Sequence, residues 1–130
     1  MSERYRRGVD VAQQLSSGSL EQFLAGEVAE VAPDFARMAI EFPFGDLYSR
    51  EGLDLQKREI VAIAALASLG HINQLRLHIA AALQLGVSRR EIVEILMQTT
   101  VYGGFPVAIN ALTECHDLLT DDDCVGGSCR

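Results

Sequence analysis

Tryptophan is absent from this 130-residue chain, and only 6% of its residues are aromatic. A core without large rings has to be assembled from Ala, Leu, Ile and Val. Apolar residues nonetheless reach 48%, so small side chains pack closely and leave apolar surface to spare, which points to a homo-oligomer. Basic charge is scarce as well. Eleven Lys and Arg against 18 Asp and Glu give a net charge of -7. Affinity for nucleic acid depends on cations that neutralise phosphates, so no nucleic-acid partner is expected. Arg4, Arg6 and Arg7 form the one basic cluster and read as a solvated face. Long apolar runs are also missing: the strongest, Ile60 to Leu69, falls far short of the ~20 residues of a membrane span. The start, MSERYRRGVD, has no apolar segment of a secretory signal. The chain is therefore expected to be cytoplasmic, with no membrane partner. Its three cysteines should then be reduced, and none sits in a Cys-x-x-Cys pair.

Strand-like alternation is missing too, and the apolar residues recur at the helical period. The pattern predicts helices over 4–15 and 20–25, and a third that starts near Pro33 and stops before Pro43. A connector over 44–53 follows. Asp54 reads as the N-cap of a helix over 55–69 that ends at Gly70. Its centre, IVAIAALA, is apolar on all sides and reads as the buried central helix. A helix over 72–85 ends at Gly86, and Ser88-Arg89-Arg90-Glu91 reads as a capping box for a helix up to Tyr102. After Gly103 and Gly104, a last helix covers 106–119. The expected architecture is all-α, a bundle of five to seven helices with antiparallel pairs joined by short loops. It forms one domain over 1–120, followed by a polar tail over 121–130 expected to be disordered.

Candidate chemistry centres on the stretch GHINQLRLH, where His71, Gln74 and His78 fall near one stripe of a helix. His71 and His78 stand roughly 10 Å apart along a helix axis. A single metal ion would need ligands converging to ~2.0–2.1 Å, so no metal site is expected. Cys115 and His116 are neighbours, but adjacent helical residues point about 100° apart and do not make a nucleophile–base pair. Cys115 reads as a small buried residue, and Cys124 and Cys129 lie in the tail. Acid–base work fits best. Glu59 stands at the entrance of the apolar helix, and His78 lies on the next, antiparallel helix, so the two could share one cleft. Burial and a neighbouring opposite charge are the means by which such groups are tuned for proton transfer. The competing reading is that Glu59 merely complements the helix dipole.

The runs FGDLYSREGLDLQKREIVAIAALASLG and LRLHIAAALQLGVSRREIVEILMQTTVYGGFPVAINAL resemble the carboxymuconolactone decarboxylase family, from about Pro33 to Leu112. One branch of that family, the alkylhydroperoxidase D-type, carries a glutamate, a Cys-x-x-Cys pair and a histidine. Laid on this chain, they fall on Glu59, His71, Gln74 and His78. Both cysteines are absent, which argues against a dithiol peroxidase, since that chemistry needs a thiolate and a resolving thiol. Resemblance to the decarboxylase branch implies conversion of 4-carboxymuconolactone to 3-oxoadipate enol-lactone without a cofactor. On that reading His78 delivers a proton to carbon, Glu59 orients it, and His71 donates to a carbonyl or carboxylate of the substrate. Gln74, Tyr102 and Phe44 would line the site, and Arg50 or Arg76 would supply a cation for the acidic substrate. The resemblance also implies a homo-oligomer, a trimer or hexamer, with sites near subunit contacts. An antioxidant protein of the peroxidase kind, or an oligomeric module that only binds a small molecule, are the alternatives.

Overall fold

Two glycines set the helices that carry the candidate pair. In the computed structural model, which describes residues 2–15 and 18–120, Gly70 and Gly86 take φ of 77° and 97°, a region that costs other L-residues a steric clash. Each ends a helix in the same way. The His71 amide donates to the Leu66 carbonyl at 2.9 Å and the Gly70 amide to Ala67 at 3.1 Å. One helix later, the Val87 amide donates to Ala82 at 3.0 Å and the Gly86 amide to Leu83 at 3.1 Å. This pairing satisfies the carbonyls that a helix end leaves orphaned.

The element order is α1 (Glu3–Leu15), α2 (Ser19–Leu24), α3 (Glu27–Val31), α4 (Pro33–Ile40), a π-helical segment (Glu41–Tyr48), α5 (Leu55–Leu69), α6 (Ile72–Gln84), α7 (Arg89–Gln98), α8 (Thr100–Gly103), α9 (Phe105–Glu114) and α10 (His116–Leu119). The fold is all-α, with no strand among the described residues. Its longer helices start and stop close to the predicted positions. The division is finer than five to seven helices, for local reasons. Thr99 turns its hydroxyl onto the Leu96 carbonyl at 2.5 Å, competing with the backbone ladder and separating α7 from α8. At Cys115 the backbone leaves helical angles (φ -106°, ψ 14°), so the expected last helix becomes α9 and α10. The predicted tail, with Cys124 and Cys129, lies outside the described residues.

The chain divides into two compact units, Met1–Leu55 and Gln56–Arg130. In the first, the helix from Pro33 was expected to stop before Pro43. Instead it passes into the π-helical segment, which runs through that proline. A proline inside an α-helix lacks the N–H and collides with the carbonyl four residues back. A wider π turn shifts the bonding partner by one residue, which eases the collision while the missing donor stays missing. The segment lies against α1 at two glycines: a Cβ on Gly45 would run into the Arg4 carbonyl oxygen, and one on Gly8 would lie 2.5 Å from the Ile40 carbonyl oxygen. Arg4 closes this contact with a bidentate bond to Asp46 (2.7 and 3.0 Å), and Arg7 donates to the Gly45 carbonyl at 3.2 Å. The basic cluster at the start of the chain is thus partly an internal tie. Ala12, Leu20 and Ile40 form the core of this unit, with Phe44 packed against it.

The second unit is built on Ile63, Ala67, Leu75, Ile79, Ala82, Ile92, Leu96 and Ala111, all buried. The Ser88 capping box is present, with both reciprocal bonds at 3.0 Å. One expectation is corrected. The apolar centre of α5 predicted burial on all sides, but only the stripe Glu59, Ile63 and Ala67 is buried, while Val61 and Leu69 are 59% and 68% exposed. Period-four burial follows from packing one face of the helix. No helix among the described residues is long and apolar enough to cross a membrane.

Candidate functional site

The turn at Gly70 and His71 folds α6 back along α5. Glu59 and His78 are 19 positions apart, which in one continuous helix would separate them by roughly 28 Å. In the structure the Nδ1 of His78 lies 2.6 Å from Oε2 of Glu59. Glu59 heads the buried stripe of α5 and has no exposed side-chain surface, whereas the His78 side chain is 23% exposed. The histidine therefore connects a buried carboxylate with the outside. With Nδ1–H donated to Glu59, the ring's Nε2 is left to accept or give a proton.

The other oxygen of Glu59 is unusual. Oε1 is buried and has no hydrogen-bond partner among the described residues. An unsatisfied buried carboxylate oxygen costs roughly 1–3 kcal/mol or more. A residue kept only for stability would not be expected to carry that cost, and an apolar side chain would fill the same space without it. Unsatisfied buried groups of this kind concentrate where chemistry is done.

The remaining residues singled out in the sequence are distributed as follows. His71 is the exposed N-cap position of α6, and Gln74 is exposed in its first turn. They share the stripe of His78, but neither bonds to the Glu59–His78 pair. Arg76, on the same helix, is engaged elsewhere: it holds Asp117 through bonds of 2.7 and 2.8 Å and the Glu114 carbonyl at 2.6 Å. The hydrogen bond from Arg76 lowers the Asp117 carboxyl to about 2, and the same bond raises the Arg76 guanidinium above its ordinary value. No local signal in the sequence points to Asp117 as a partner, because the two residues are 41 positions apart. Tyr102 is 74% exposed on α8. Phe44 and Arg50 belong to the first unit; Phe44 meets Tyr48 edge-on at 5.3 Å between ring centroids, and Arg50 is exposed.

Cys115 is buried within the core of the second unit, and burial pushes its thiol up from the ordinary value. Its neighbour His116 turns instead toward Thr120. Among the described residues, no group of three or more His, Cys, Asp or Glu is placed to hold a metal.

Fold and pair together define an all-helical protein with a carboxylate–imidazole couple set into a helical hairpin. The carboxymuconolactone decarboxylase family profile matches residues 33–116, and the chain belongs to that family. Over 119 residues it is 27% identical to a 4-carboxymuconolactone decarboxylase of Acinetobacter baylyi, covering 92% of this chain and 89% of the relative. It is 31% identical over 107 residues to an uncharacterized 15.0 kDa protein of Paracoccus denitrificans, covering 81% and 80% of the two chains. A nitrosuccinic acid decarboxylase of Metarhizium robertsii is 28% identical over 81 residues, which cover 62% of this chain and 57% of the relative.

Proposed function

We propose that the protein is a decarboxylase of a small carboxylic acid, working by acid–base chemistry without a cofactor, and that its substrate is 4-carboxymuconolactone or a close analogue. The observation that carries this reading is the 2.6 Å contact between buried Glu59 and part-exposed His78. Two relatives are named as decarboxylases, one for a lactone acid and one for a nitro acid. Both substrates bear a group able to take up the electron pair left when carbon dioxide departs. An enzyme for such acids has two tasks: to stabilise the developing anion and to place a proton on carbon.

In the lactone case, the bond from ring carbon to carboxylate breaks, and its electron pair spreads through the ring alkene onto the lactone carbonyl. His78 then gives the proton on Nε2 to carbon, while Nδ1–H stays bonded to Glu59. Solvent, reached through the exposed part of the ring, restores the Nε2 proton. His71 and Gln74, two exposed donors on the same stripe of α6, hold the oxygen that gains charge. The positions at which a dithiol peroxidase of this family has its cysteines are thus occupied by a histidine and a glutamine.

The test is turnover of 4-carboxymuconolactone, followed as carbon dioxide release, in wild type, His78→Ala and Glu59→Gln. Losses on the order of 10²–10⁴-fold are expected in both variants, with the helical circular dichroism retained. Full activity in His78→Ala would remove the assignment. Consumption of peroxide by wild type with a dithiol donor, alongside no release of carbon dioxide, would favour the peroxidase alternative.

A further inference from the structure

The turn at Gly70 and His71 grips the hairpin of α5 and α6 at one end only. Glu59 lies 11 positions before Gly70, roughly 16 Å away along the helix axis. At the opposite end stands a side chain that the acid–base reading does not use. Gln56, exposed in the first turn of α5, donates from Nε2 to the Leu85 carbonyl at 2.6 Å. Leu85 is the C-cap of α6, and its carbonyl is one of those that a helix end leaves without an internal partner. The next two amides do not serve it, because Gly86 and Val87 turn back to Leu83 and Ala82. The bond passes beside Gly86, where a Cβ would stand 3.4 Å from the same nitrogen.

We infer that Gln56 is a positioning residue for the Glu59–His78 pair, an inference that rests on the acid–base reading above. Gln56 precedes Glu59 by three positions and shares its helix face. Leu85 follows His78 by seven, two turns along α6. The bond therefore closes the open end of the hairpin, and the pair lies between it and the turn. The shared core of Ile63, Ala67, Leu75, Ile79 and Ala82 holds the two helices together. Apolar burial is non-directional, however, so it resists sliding and rotation less than a hydrogen bond of defined geometry does. Glu59 has no second bond to compensate, since its Oε1 is without a hydrogen-bond partner among the described residues. A working constellation tolerates only about 0.5 Å of misplacement. An α6 end free to slide along α5 would carry the 2.6 Å contact outside that tolerance. Gln56 acts on the pair only through the helices, by fixing where α6 ends against the start of α5.

Two substitutions in the full chain separate positioning from general stability. Gln56→Met keeps the length and the helix propensity of the side chain but has no donor for Leu85. Gln56→Lys returns a donor suited to the last carbonyls of a helix. The first readout is the Nδ1–H proton of His78 in NMR, which a short imidazole–carboxylate bond draws downfield. It should move upfield in Gln56→Met and return in Gln56→Lys, with circular dichroism helical in both. The second readout is carbon dioxide release from 4-carboxymuconolactone. Its kcat should fall about tenfold or more in Gln56→Met, with KM within about twofold of wild type, and recover in Gln56→Lys. An unmoved His78 proton in Gln56→Met, or a Gln56→Lys variant as impaired as Gln56→Met, would overturn the inference. A wild type that releases no carbon dioxide would remove the functional reading alone, because the His78 proton still reports whether Gln56 sets the geometry of the pair.

Discussion

Replacing Glu59 with methionine separates stability from chemistry. Met has an unbranched side chain of similar length and no charged oxygens. It removes the hydrogen bond from His78, which as a charge-assisted bond contributes about 1.5–3 kcal/mol. It also removes the unsatisfied Oε1, whose desolvation costs about 1–3 kcal/mol. The two effects oppose each other at the same residue. His78, 23% exposed, can still reach water to satisfy Nδ1. The net change should lie within about 1–2 kcal/mol of wild type in either direction, a shift of several degrees in the melting midpoint for a chain of this size. Turnover should fall about 10²–10⁴-fold, because the imidazole loses the group that orients it. Urea denaturation and carbon dioxide release measure the two quantities on one preparation. A loss of stability above about 4 kcal/mol would show that the carboxylate is a structural keystone. Turnover within tenfold of wild type would show that His78 needs no orientation by Glu59. Either result refutes the argument from the orphaned oxygen.

Four further outcomes follow from the fold. Gly86→Ala places a Cβ on a residue at φ 97° and should cost about 1–2 kcal/mol in urea unfolding. Ile79→Ala, at a site with no exposed surface, should cost about 2–5 kcal/mol, with curvature or a second transition if the two units unfold separately. Ser88→Ala removes the acceptor for the Glu91 amide and should cost about 0.5–2 kcal/mol, read as a lower melting midpoint. The Asp117 carboxyl, held to about 2 by the hydrogen bond from Arg76, is depressed in the folded state. Its contribution to stability is therefore present above the ordinary carboxylate range and is lost as pH falls through about 2. NMR titration should find that low midpoint in wild type and a return toward the ordinary range in Arg76→Ala.

How much of this was legible in the sequence depended on whether the signal was local. Gly70, Gly86 and Ser88 act through their own backbone or a residue three positions away, so their roles could be read directly and the helices they delimit fell in place. The turn at Gly70 and His71 put Glu59 and His78 on neighbouring antiparallel helices, which made a shared cleft one of two readings of Glu59; their direct contact is seen only in the structure. Pro43 misled because the rule that proline ends a helix assumes α geometry. The π turn that accommodates it is stabilised by contacts of Gly45 and Asp46 with α1, which are about 40 residues away in the chain. Arg76 was legible as a cation but not as one engaged by Asp117, for the same reason of distance.

The apolar centre of α5 shows a different kind of limit. Hydrophobicity reports that a surface must leave water, not which partner covers it. Within the chain, α5 buries only the face that carries Glu59, Ile63 and Ala67, yet Val61 and Leu69 remain as apolar as a core requires. The uncharged faces of α8 and α9 have the same excess. Exposed apolar side chains are common on folded surfaces, so it is the four-residue spacing of Glu59, Ile63 and Ala67, and not apolar content, that marks the buried face of α5.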